Sequence, residues 1–208
     1  AADWLFSQGE VYIKGGTVRW TDEQRGAPEL ALEKVDLVLR NGNWRHNLRV
    51  DATPPPEWGD RFSLVGLFRA PLLRARDGNW KHWSGQVFAH FTRVDVSHLR
   101  HHADVGIEVA QGRGALRAWA DVRSGQVVGG TADLALADVN TTLAADLRPL
   151  VLPSIQGRLG GRRLTGGFEF STQALQFLER ITCALAEDAD LQPFDRQFVL
   201  VDGLEIAA

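Results

Sequence analysis

Residues 35–52 read VDLVLRNGNWRHNLRVDA, and this stretch decides the fold class. Mostly apolar side chains occupy every second position on either side of Asn41-Gly42, which is the period of a β-strand with one face out of water. Polar side chains fill the alternate positions apart from Val38: Asp36, Arg40, Arg45, Asn47, Arg49 and Asp51. Asn41-Gly42 predicts a hairpin with a type I′ turn, because both residues tolerate a positive φ. The stretch therefore predicts two antiparallel strands that share one apolar face.

Strand patterns continue through most of the chain. The apolar register slips between Leu30 and Leu39, and one extra residue near Glu33-Lys34, a β-bulge, would explain the slip. Gly15-Gly16 predicts a tight hairpin turn between short strands at 11–13 and 17–21. Further strands are predicted at 61–69, 80–91, 105–110, 112–122, 126–137, 139–143, 150–152, 155–159, 164–171 and 194–201.

Helical patterns are few. A short helix is predicted at 92–103, with Asp95 or Ser97 as its cap. Strand and helix spacing compete at 172–187, because Leu175, Leu178, Ile181 and Leu185 suit a helical face. The fold class predicted is all-β: an elongated, curved, mostly antiparallel sheet shaped like a groove, with one or two short helices. We expect 1–208 to form one β-rich segment of a longer protein, with a weak subdivision near 92–104.

Composition excludes several classes of function. A net charge of −3 without charge blocks argues against a nucleic-acid partner. Cys183 is the single cysteine, which permits no internal disulfide and no thiolate metal cluster. No apolar run approaches the ~20 residues that a membrane-spanning helix needs, and residues 1–9 lack the pattern of a signal peptide. Any membrane anchor is expected to lie outside this chain.

Candidate catalytic and metal-binding residues are scattered. His98, His101 and His102 could share a helical face and present imidazoles to zinc, with His82 and His90 nearby, but no H-E-x-x-H pattern is present. Carboxylates that could approach one another in a folded sheet are Asp133, Asp138 and Asp146, or Glu108 and Asp121. A solvated side-chain cluster is the simpler interpretation of both sets. We expect no catalytic residue, no metal site and no cofactor.

The chain contains seven tryptophans, which are stronger candidates for ligand binding than the histidines or carboxylates. Tryptophan rings can fill a β core, or stack on sugar rings at a surface. Trp80 and Trp83 lie around a glycine-rich turn, and we expect both to be partly exposed.

Several stretches resemble the YhdP family of AsmA-like envelope proteins. The resemblance is carried by GGTVRWTDE at 15–23, APEL at 27–30, VDLVL at 35–39, HNLR at 46–49, PP at 55–56, WSGQV at 83–87 and LQPFD at 191–195. It is specific over about residues 9–91 and diffuse beyond them.

The resemblance implies a periplasmic protein, attached to the inner membrane in its full-length form, whose curved sheet carries phospholipid along an apolar groove. It brings no catalytic residues. The phospholipid-facing side chains expected are Val35, Leu37, Leu39, Leu48, Val50, Phe62, Leu64, Leu116, Leu134 and Leu136.

Two other functions remain open. An ordinary β-sandwich has the same alternation, so the chain could be a carbohydrate-binding or scaffolding module. Exposed tryptophans beside polar acceptors would favour a carbohydrate-binding protein. Paired carboxylates in a cleft would favour a glycosidase, which ranks third. A long apolar trough would favour the lipid conduit.

Overall fold

The structure is a computed structural model that describes residues 2–21, 29–71, 79–99, 108–142, 149–164, 167–180, 195–199 and 206–207. Within these residues the fold is all-β, a single open, curved antiparallel sheet with very little helix. This confirms the predicted fold class.

Within the described ranges, ten strands pair in chain order, and an eleventh strand pairs with the ninth. Sequential pairing is compatible with tight turns between antiparallel neighbours, as in the two-residue connection between β6 and β7. The strands are β1 Glu10–Trp20, β2 Leu30–Asn41, β3 Arg45–Thr53, β4 Phe62–Arg69, β5 Ser84–Asp95, β6 Glu108–Arg123, β7 Gln126–Thr142, β8 Leu150–Leu164, β9 Gly167–Arg180, β10 Asp195–Val199 and β11 Ile206–Ala207.

The helical elements are short. Helix α1 spans Ala2–Ser7, helix α2 spans Val96–Leu99, and a 3₁₀ helix spans Trp80–His82 between β4 and β5. The helix predicted at 92–103 is therefore shorter than expected, because β5 continues to Asp95; residues 100–103 lie outside the described part. The predicted cap is confirmed, since the Asp95 Oδ1 accepts the backbone N–H of Ser97 at 3.1 Å. None of the described helices has the length and apolar content required to cross a bilayer.

The bulge predicted near Glu33-Lys34 is confirmed. Lys34 has a φ of 48°, and the pairing of β2 with β3 shifts between Glu33 and Asp36. The extra residue moves the apolar positions from even to odd numbers, so the whole strand keeps one apolar face.

Two turn predictions were wrong in detail. Gly15 and Gly16 do not form a hairpin but lie within β1, where the register shifts between Ile13 and Gly16. The hairpin at Asn41-Gly42 exists, with Asn41 paired to His46, but neither residue has the positive φ of a type I′ turn. Tight sheet pairing allows glycine to serve as a bulge as readily as a turn.

Strands predicted as short pairs are continuous. Residues 105–110 and 112–122 were expected to be separate, yet β6 runs unbroken from Glu108, and residues 126–143 form β7 up to Thr142. Asp138, with a φ of 52°, is a bulge in β7 rather than a turn. Residues 150–159 merge into β8. The helical alternative for 172–187 is wrong as far as Arg180, where β9 ends; the rest lies outside the described residues.

Candidate functional site

One face of the sheet carries mostly apolar side chains across its width. A single row of paired residues crosses nine strands on this face, from β1 to β9: Ile13, Leu37, Val50, Leu64, Ala89, Ala118, Ala132, Leu159 and Thr172. Paired residues of an antiparallel sheet point to the same side, so these side chains form a continuous band. We call this side the inner face.

The structure places all ten residues expected to face phospholipid on the inner face. Phe62, Phe91, Leu116 and Leu134 form a second row across β4 to β7, and the remaining positions follow at intervals of two residues along their strands. Their common orientation was therefore predictable from the period. Their contact with a lipid stays a prediction.

The inner face is the sheltered side of the curved sheet. Along β6 the inner residues Leu116, Ala118 and Ala120 are half-buried, whereas the intervening Arg117 and Trp119 are exposed. The described strands make their main contacts with their hydrogen-bonded neighbours, and no second sheet is present among the described residues. Curvature rather than a covering layer accounts for this shelter.

Burial varies along the inner face. Leu39 is 0% exposed and Val35 is 3% exposed, whereas Leu37 between them is only half-buried. A compact cluster at the β7–β8 side consists of Leu134, Leu136, Val139 and Leu152. Elsewhere on the inner face, β6 and β7 carry small side chains, so the surface there is recessed relative to the clusters. The inner face is thus an open surface with packed patches.

The opposite, outer face is polar. The Arg158 Nη2 donates to the Asp133 Oδ2 at 2.8 Å, and the same guanidinium holds the pKa of Asp133 below its ordinary value. An open depression of about 590 Å³ lies on this outer face, and most of its lining residues are charged, polar or glycine. A second depression, of about 840 Å³, is lined by residues of both faces, among them Arg117 and Asp133 of the outer face and Leu116 and Leu134 of the inner face.

An aromatic cluster covers part of the inner face where β3, β4 and β5 approach the 3₁₀ helix. The Trp83 ring lies flat on His46, with centroids 3.7 Å apart and planes at 11°. Phe6 of α1 packs edge-on against Trp83 at 5.2 Å, and Phe68 lies 6.0 Å from the same indole. Trp80 is 6.4 Å from Phe6. These five residues are referred to below as the aromatic cluster.

The expectation for Trp83 was wrong. Trp83 is 4% exposed, because a residue 37 positions earlier in the chain, His46, supplies the surface on which it stacks. Trp80 is half-buried, as expected. A local sequence pattern carries no information on such a distant partner.

His46 is the one described residue whose buried side chain has an unpartnered polar atom. It is 3% exposed, its Nδ1 lies 2.9 Å from the Asn41 Oδ1, and its Nε2 has no hydrogen-bond partner. Burial lowers the pKa of His46 below its ordinary value of 6.5. The sequence pattern missed His46 and Asn41 as a pair; the only signal was a histidine at an apolar position of the alternation.

The candidate metal and catalytic residues do not converge. His98 stacks on Trp58 at 5.1 Å, and His101 and His102 lie outside the described residues. Asp121 accepts a hydrogen bond from Gln86 at 2.9 Å rather than approaching another carboxylate. No group of three or more metal-ligating side chains occurs in the described ranges.

Within the described residues, fold and site together define a single open, curved antiparallel sheet with a mostly apolar inner face and a charged outer face. The family model of the YhdP protein matches residues 1–192, and the chain belongs to the YhdP family. The match extends well past residue 91, where the resemblance of individual motifs becomes diffuse. No curated protein and no solved structure matched the chain. Family membership points to an AsmA-like protein of the cell envelope.

Proposed function

We propose that this chain is a section of a phospholipid-transfer conduit in which the inner face shelters acyl chains from water. One observation carries the proposal: the row from Ile13 to Thr172 is continuous across nine strands, and no second sheet covers it among the described residues. Apolar surface left open to water is costly, and a bound acyl chain would remove that cost.

The dimensions support passage along the sheet rather than storage of one molecule. Neighbouring strands lie about 4.8 Å apart, so the eight intervals from β1 to β9 give an apolar band of roughly 38 Å. The band runs across the strands, and each strand contributes several inner positions to its width. A lipid held on this band could move from strand to strand without its chains meeting a charged side chain of the outer face.

The proposal includes the setting of the protein. We place it in the periplasm, attached to the inner membrane by an anchor outside this chain, with phospholipid as its ligand. We assign it no enzymatic activity, no cofactor and no nucleic-acid partner.

One observation favours the alternative of a carbohydrate-binding module. Trp119 is 36% exposed on the outer face, and it lies beside the Arg158 guanidinium at the 590 Å³ depression. The ring is already packed against Phe88 at 5.2 Å, as an ordinary cross-strand pair would be. The lipid conduit is the better-supported function, since it uses the whole inner face rather than one side chain.

Photo-crosslinking tests the conduit directly. A photoreactive residue at Leu48 would lie on the inner face, and one at the adjacent Asn47 would lie on the outer face of the same strand. After incubation with vesicles of phosphatidylethanolamine and phosphatidylglycerol, we expect phospholipid adducts by mass spectrometry from position 48 and none from position 47. Equal adduct formation at both positions, or none at either, would reject the proposal.

A further inference from the structure

Helix α1 lies over the inner face, which it contacts, among its described side chains, through Phe6. Its Phe6 ring packs edge-on against Trp83, which itself lies flat on His46. The main contact of α1 with the sheet is with β2. Trp4, on the same helix, is 68% exposed. Segments with few buried contacts open at low free-energy cost, well before the sheet unfolds.

A single residue at the end of β2 holds the segment that follows α1. The Asn41 Nδ2 donates to the Phe6 carbonyl at 2.9 Å and to the Gln8 carbonyl at 2.7 Å, and the Asn41 backbone N–H donates to the Gly9 carbonyl at 2.8 Å. Three hydrogen bonds from one residue therefore fix the position of α1 relative to the sheet.

The same asparagine determines the hydrogen-bonding state of His46. Because the Asn41 Nδ2 is used twice as a donor, its Oδ1 faces His46 and the His46 Nδ1 must carry the proton. The His46 Nε2 is then a bare acceptor, buried and without a partner. A buried acceptor without a hydrogen-bond partner destabilises the arrangement in which Phe6 and Trp83 cover His46. It therefore lowers the free-energy cost of moving α1 away from the sheet.

We propose that α1 is a lid over the inner face, which Asn41 holds closed and whose opening, by lifting Phe6 from Trp83, admits acyl chains onto the part of the inner face formed by β2 to β5. The inference deepens the proposed function and rests on it. Closure shields the apolar surface around Trp83 when no lipid is bound. Because α1 is not one of the paired strands, it can open without loss of sheet pairing.

Two substitutions loosen the lid by different means. Phe6→Ala removes the ring that packs on Trp83. Asn41→Asp removes both side-chain donors to α1 but keeps an oxygen that accepts the His46 Nδ1–H. Trp4→Ala is the matched control, because it removes an exposed ring from the same helix. Circular dichroism would verify that each variant retains the sheet.

Two readouts separate opening from lipid entry. Amide hydrogen exchange at position 41 reports opening, since its N–H is bonded to the Gly9 carbonyl. The initial rate of uptake of a phosphatidylglycerol with a pyrene-labelled acyl chain, from vesicles of phosphatidylethanolamine and phosphatidylglycerol, reports entry. We expect Phe6→Ala and Asn41→Asp each to raise both rates by about two- to tenfold, the range that one aromatic contact or a hydrogen-bond pair accounts for. Trp4→Ala should match the unmodified protein.

The outcomes distinguish the lid from the conduit. Faster exchange at position 41 with unchanged lipid uptake would overturn the lid and leave the conduit standing. Unchanged exchange in both variants would also overturn it. No uptake by any of the proteins, including the unmodified one, would overturn the conduit and the role of the lid with it.

Discussion

Three substitutions to aspartate on β2 test whether the inner face is an open surface or part of a closed core. Leu37 is half-buried on the inner face, Val38 lies on the outer face, and Leu39 is 0% exposed on the inner face. The three positions are consecutive, so strand propensity and distance from the turn are nearly constant. Differences among them therefore report the surroundings of each side chain.

The expected cost for Leu37→Asp is modest. Fully burying a leucine side chain contributes about 1.5–3 kcal/mol, so the half-buried Leu37 contributes roughly half of that to the free energy of unfolding. A carboxylate at an open position remains hydrated and incurs little desolvation. We expect a loss of about 1–2 kcal/mol, which leaves the protein folded.

Leu39→Asp and Val38→Asp give the largest and the smallest expected loss in the free energy of unfolding. At Leu39 the full hydrophobic contribution is lost and an unpartnered carboxyl group is buried, which costs several kcal/mol more and approaches the whole stability of a domain. At Val38 the new carboxylate lies opposite Arg49 on the outer face, and we expect a change within about 1 kcal/mol.

Chemical denaturation and lipid crosslinking from position 48 would be measured on all three variants. Leu37→Asp should stay folded while its phospholipid adducts decrease, because a carboxylate on the band disfavours an acyl chain at the neighbouring pair. Val38→Asp should retain both folding and adducts. If Leu37→Asp unfolds the protein as Leu39→Asp does, the inner face is a closed core and the reasoning fails. A folded Leu37→Asp with undiminished adducts would equally refute it.

Three further predictions concern local structure. Because the pKa of His46 is lowered in the folded state, the unfolded chain binds more protons as the pH drops through 6.5. The free energy of unfolding should therefore fall over this range. Denaturation curves of His46→Gln should show a shallower decline with pH. Gly85→Ala places a Cβ against the Leu67 carbonyl oxygen, whereas the Cβ of Gly42→Ala meets only an ordinary contact at 3.4 Å. In thermal unfolding, the free energy of unfolding should fall by several kcal/mol for Gly85→Ala and by less than about 1 kcal/mol for Gly42→Ala. Lys34→Gly relieves the positive φ of the bulge and should change stability by less than about 1 kcal/mol, since relief of strain and added chain entropy offset each other; a loss of several kcal/mol would contradict this.

Much of the fold could be predicted from local pattern. The alternation in residues 35–52 predicted which side chains share a face, and the slip of register near Lys34 predicted its bulge. These features follow from the period of a strand, which depends only on neighbouring residues. The same period predicted the common orientation of Leu37, Val50 and Leu64.

Other features depend on partners that are distant in sequence. Gly15 and Gly16 form a bulge rather than a turn because β1 continues along β2 on both sides of them. Asp138 likewise lies inside β7, which pairs with β6 and β8 on both sides of the irregularity. A glycine or a polar residue marks a possible break, and only the adjacent strands decide whether the chain turns there.

The sequence by itself determined that the chain forms antiparallel strands with one apolar face, because that property resides in the alternation of neighbouring side chains. The tertiary structure alone decided that this face remains open among the described residues, since whether a second layer covers it is a non-local property. It also decided that Trp83 is buried on His46 and that Asn41 holds α1, because these contacts join residues tens of positions apart.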